Sequence, residues 1–154
     1  MKKKIKASII MLSCIILIAV IGYFMISNPF VSFNNHKLET SVKSIDNETV
    51  SLNDVVPFEW DTLYTFEPYQ SKEEIEETIG FKSASIKENN INEGMVHLLF
   101  VKSDKVVASI LGYADNLGYN IDFTSKEGSN VTFAEDAQFN VTRVDGITTL
   151  TYVE

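Results

Sequence analysis

Between residues 7 and 26 the chain runs ASIIMLSCIILIAVIGYFMI without one charged side chain. About 20 helical residues rising about 1.5 Å each match the roughly 30 Å hydrocarbon layer of a bilayer, so the stretch predicts one membrane-spanning helix acting as a signal anchor. Tyr23 and Phe24 stand where aromatic rings favour the interface, and Asn28-Pro29 supplies a stop. Lys2, Lys3, Lys4 and Lys6 precede the run, and the next basic residue is Lys37. The positive-inside rule therefore predicts residues 1–6 in the cytoplasm and the rest of the chain outside, at the cell membrane. Two alternatives compete: secretion after cleavage near Gly22, with Val20 and Gly22 as the small residues before the cut, and lipid attachment at Cys14. Cleaved signal peptides have apolar cores of about 7–15 residues, shorter than this run. A lipidated cysteine begins a polar mature chain, whereas Ile15-Ile16-Leu17-Ile18 follows Cys14.

The remaining length suits one folded domain and is too short for two well-buried cores. Four of the 13 basic residues precede the apolar run and all 21 acidic residues follow it, so the rest of the chain carries nine basic against 21 acidic residues, a formal excess of −12. A surface of that sign repels phosphate backbones, which argues against nucleic acid as a partner; a cationic protein or a cell-envelope component fits better, or the acidic residues simply keep the domain soluble. The one cysteine, Cys14, lies in the apolar run, so the domain folds without disulfides.

Residues 27–36 read as a tether of polar and aromatic residues and residues 37–154 as the domain, with a short helix over 37–45. In FEWDTLYTF, residues 58–66, an extended chain places Phe58, Trp60, Tyr64 and Phe66 on one face and Glu59, Asp61, Leu63 and Thr65 on the other, which predicts a half-buried strand. Ser71-Lys-Glu-Glu74 is a capping box: the serine hydroxyl accepts from the Glu74 N–H while the Glu74 carboxylate reaches back. The helix it opens places Ile75 and Ile79 on one side and ends at Gly80. Apolar runs on either side of Ser103-Asp104 predict a hairpin of central strands, residues 119–124 predict another strand, and Asp145-Gly146 predicts a second hairpin nearer a sheet edge. The expected fold class is α+β: an antiparallel sheet of about five strands with one or two short helices, preceded by the transmembrane helix.

Chemistry is sparse. Neither His36 nor His97 has a second histidine or cysteine at ligand spacing, so no zinc site is expected, and no aspartate run matches a calcium loop. No serine stands in a nucleophile elbow and no glycine-rich loop cradles phosphate, so no catalytic residue and no cofactor is assigned. The distinctive group is aromatic. Trp60, Asp61, Tyr64, Pro68 and Tyr69 are the candidate binding residues, with ring and carboxylate side by side at Trp60-Asp61; the competing reading buries the rings in the core.

The segment FEWDTLYTFEPYQSKEEIEETIGF, residues 58–81, resembles one that recurs in small membrane-anchored or secreted proteins of Gram-positive bacteria, with an aromatic-x-Trp-Asp strand, a Pro-Tyr turn and a capped acidic helix ending at glycine. The resemblance implies location and fold and marks Trp60, Asp61, Pro68 and Tyr69; it implies no activity. The expected function is a non-enzymatic binding or accessory module tethered outside the membrane. The alternatives are an immunity-like inhibitor that captures a cationic partner, and an envelope glycan or peptide hydrolase using Asp61 or a nearby carboxylate.

Overall fold

The computed structural model describes residues 11–18, 22, 28–87 and 92–153. Residues 11–18 are helical, with their apolar side chains open to the outside. The span expected over 7–26 otherwise lies outside the described residues, among which no helix is long and apolar enough to cross a membrane.

The domain opens with a long helix where a tether was expected. Helix α1, Pro29–Lys43, starts with proline in its first turn, whose fixed φ suits that position, and Asn28 precedes it in the left-handed region at φ 33°. Val31, Leu38 and Val42 recur at helical spacing and are buried. Asn34 and Asn35, between Val31 and Leu38, also face the domain. Asn34 donates to the Val107 carbonyl at 2.9 Å, while Asn35 donates to the Ser109 carbonyl at 2.8 Å and accepts from the Ser109 N–H at 2.9 Å. The asparagines serve a strand rather than solvent, and so the domain begins near residue 28 and not at 37.

That strand is β4, Lys105–Tyr113, which pairs with β3, Met95–Lys102, across the expected Ser103-Asp104 turn. With β2, Thr62–Thr65, and β6, Asn130–Thr132, they form a four-stranded antiparallel sheet in the order β4-β3-β2-β6. β4 is an edge strand, not the central one that its apolar pattern predicts, because α1 covers the edge that another strand would otherwise fill. A second sheet has the order β1-β7-β8-β5: β1 is Thr49–Ser51, β7 Gln138–Val144, β8 Ile147–Tyr152 and β5 Tyr119–Asp122, the last parallel to β8. The β7–β8 hairpin turns at Asp145 and Gly146, both at positive φ. It lies at the centre of its sheet rather than near an edge, since β1 and β5 flank it. The architecture is α+β, with two four-stranded sheets in place of one of about five strands.

One core joins both sheets: Leu38 and Val42 of α1, Leu63, Leu98, Phe100 and Ile110 of one sheet, Ile121, Phe139 and Leu150 of the other. A four-residue helix α2, Leu52–Val55, adds Leu52 and Val55, and a second four-residue helix α4, Ala114–Leu117, leads from β4 into β5. The opposite face of the β4-β3-β2-β6 sheet carries a smaller cluster under helix α3, Lys72–Ile79, in which Ile75 meets Phe66, Ile86, Leu99 and Val106. An extra residue in β4 opposite Phe100 and Val101 shifts the register. This bulge turns Val106 toward α3 while Ala108 and Ile110 stay in the main core.

Candidate functional site

The five candidate residues separate. Trp60 is 2% exposed, packed edge-on against Phe100 at 5.8 Å and Phe133 at 5.6 Å between ring centroids. The expected comb therefore breaks: strand geometry begins only at Thr62, and Trp60 joins Leu63, assigned to the other face, in the main core. Tyr64 stacks on Phe66 at 6.1 Å beside the α3 cluster.

Asp61 works as a brace. Its carboxylate accepts from Lys102 Nζ at 2.8 Å and from the Ser103 N–H at 2.7 Å, holding the turn where Ser103 sits at φ 51°. The Lys102 hydrogen bond, joined by that of Ser103, holds the carboxyl below its ordinary value. A charged, doubly engaged carboxylate beside a buried indole offers no sugar-binding platform, which withdraws the geometric support for a hydrolase built on Trp60 and Asp61.

Pro68 and Tyr69 form the turn between β2 and α3. Pro68 fixes φ at the second turn position, and Tyr69 follows at φ 72°, the region a type II turn demands of its third residue and ordinarily fills with glycine or asparagine. Gln70 closes the turn, its Oε1 accepting from the Glu67 N–H at 2.8 Å. The Tyr69 ring is 64% exposed. Directly after it the capping box forms as expected: Ser71 Oγ accepts from the Glu74 N–H at 3.3 Å and the Glu74 carboxylate accepts from the Ser71 N–H at 2.7 Å. The Ser71 N–H and the Ser71 hydroxyl, which donates to the same carboxylate oxygen at 2.8 Å, hold the Glu74 carboxyl below its ordinary value. Gly80 ends the helix at φ 85°. Burial of Ile75 against the sheet leaves Glu73 and Glu77 on the outer face. Glu73, Glu76, Glu77, Gly80, Phe81 and Lys82 line a shallow depression of about 440 Å³. Tyr69 and this acidic helix face follow one another along the chain and form the candidate binding surface.

A separate cleft of about 290 Å³ lies beside Pro68, with His97, Glu67 and Asp122 in its wall. His97 is 1% exposed next to Phe66, and burial together with the charge of Lys87 lowers its imidazole from 6.5 to about 4. A base so weak is mostly unprotonated at neutral pH but poorly matched to proton transfer there. The cleft is also just below the volume of ordinary small-molecule sites, about 300–1,000 Å³.

The aromatic pair that sequence reasoning passed over is Phe30 and Phe33 on α1, 71% and 61% exposed. Continuing the period of Val31, Leu38 and Val42 upstream reveals the helix and places both rings outside its buried stripe. Among the described residues no group of three metal-binding side chains occurs. No protein-family model, no curated protein and no solved structure matches the chain.

Proposed function

We propose that this chain is a membrane-tethered module that binds a cationic protein or envelope component outside the cell, through Tyr69 and the acidic outer face of α3. Support for the tether comes from the lysines before the apolar run and from the apolar side chains of residues 11–18: Met11, Leu12, Ile15, Ile16, Leu17 and Ile18 are 54–69% exposed and ask for a lipid or protein partner. The observation that carries the binding reading is Tyr69. A large ring held in a left-handed backbone costs about 1–2 kcal/mol and, so exposed, recovers little of it by burial within the domain. An outward tyrosine of that kind suits a contact residue, since interfaces draw much of their affinity from tyrosine, tryptophan and arginine. The adjoining glutamates set the partner's sign, and as exposed charges they contribute mainly to encounter rate and selectivity.

Two substitutions separate binding from folding. Tyr69→Gly relieves the backbone and should stabilise the domain by about 1 kcal/mol while abolishing crosslinking of the full-length chain to its partner at the surface of intact cells. Glu73→Gln with Glu77→Gln should leave the fold unchanged, weaken capture and remove its salt dependence. Capture unchanged in both variants, or equal at low and high salt, refutes the reading.

A further inference from the structure

We infer that the end of the domain formed by Phe30 and Phe33 of α1, with Lys82 and Lys105 beside them, lies against the bilayer interface. The inference rests on the membrane reading of residues 7–26. The last apolar residue of the run is Ile26, and α1 begins at Pro29. Three Cα–Cα steps of about 3.8 Å separate them, so the helix start is within about 11 Å of the run's end. That entry point is clamped to the domain: Asn28 donates to Ser85 Oγ at 2.7 Å, and Asn34 and Asn35 bind the β4 edge. The surface around Asn28 must therefore face the lipid at close range.

Its composition suits that position. Phe30 and Phe33, three apart on α1, are 71% and 61% exposed, and the Lys37 ammonium lies 5.5 Å from the Phe33 ring centroid. Phenylalanine at headgroup depth buries its ring in the acyl boundary, as in helices that lie in the membrane surface. An open cavity of about 450 Å³ adjoins Asn28 and Phe30, with Phe81, Lys82, Asp104 and Lys105 in its wall. Lys82 and Lys105 are exposed and form no ion pair among the described residues, whereas Lys43, Lys102 and Lys126 each pair with a carboxylate. On this reading Lys82 and Lys105 both lie where phosphate headgroups would be, and long lysine stems let their charge reach that layer. Asp104 shares the wall, so ring burial rather than net charge dominates the contact and its salt dependence is weak.

The test uses the full-length chain in vesicles of equal parts phosphatidylcholine and phosphatidylglycerol. Cys14→Ser removes the native thiol, and a nitroxide is attached in turn through Phe30→Cys, Phe33→Cys and, as reference, Val144→Cys on the β7–β8 turn. Labels at 30 and 33 should collide several-fold more with oxygen than with a water-soluble nickel chelate, relative to 144. Vesicle flotation is read separately. Flotation with labels at 30 and 33 as open to nickel as 144 overturns this inference and leaves the tether standing. Spin–spin broadening at 33 places a second copy on the face and also overturns it. Failure to float overturns the membrane reading and this inference with it.

Discussion

His97 has no role in the binding surface, yet it governs how the domain responds to acid. Its folded value of about 4 lies below the ordinary 6.5, so the unfolded chain takes up a proton that the folded chain refuses. Stability is complete above pH 6.5 and falls by about 1.4 kcal/mol per pH unit as pH drops, a loss of about 3 kcal/mol by the time the folded imidazole itself titrates. Urea unfolding across this range should show that slope, and His97→Gln should flatten it between pH 6.5 and 5, above the range in which the braced carboxylates Asp61 and Glu74 titrate. Legibility at this scale depends on how local a residue's role is. The capping box at Ser71 and Glu74 is complete within four residues, and it forms as read. Trp60 and Asp61 look like ring and acceptor from their adjacency, but their partners, Phe100, Phe133, Lys102 and Ser103, come from distant parts of the chain. Pro68-Tyr69 is a visible turn, whereas the exposure of its ring depends on α3 folding back over the sheet.

Among the elements, hairpins are legible and neighbours are not. Ser103-Asp104 and Asp145-Gly146 announce their turns, and the strands on either side of each pair as expected. Which strand lies at an edge is set by non-local order, and apolar content alone misleads when a helix can seal an edge. α1 does this with Asn34 and Asn35, residues that read as a polar tether because side chains imitating a backbone leave no apolar trace. Asn35→Leu should expose the cost. Leaving the Ser109 N–H and C=O without partners destabilises the domain by about 2–3 kcal/mol, visible as a lower urea midpoint. The opened edge should also promote association that grows with protein concentration, measurable by light scattering.

For the whole molecule, the two sheets and α1 share one core, so its boundary is a matter of folding rather than of labelling. A fragment of residues 28–154 keeps Val31, Asn34 and Asn35 and should unfold in one cooperative transition with intact near-ultraviolet signal from Trp60. A fragment of 37–154 loses them and bares the β4 edge; it should lose that signal and aggregate. The α+β class is legible from alternating strands and a capped helix, while the division into two sheets is not, because it depends on pairings such as β1 with β7 across some 90 residues. The start of α1 so soon after the apolar run has a last consequence for where such a module operates. On the proposed tether, two residues separate the apolar run from α1, so the globule would be held close to its anchor. A compact domain of this size is roughly 35 Å across, so a module tethered as proposed would work within a thin shell above the lipid, and its partner would have to come down to meet it.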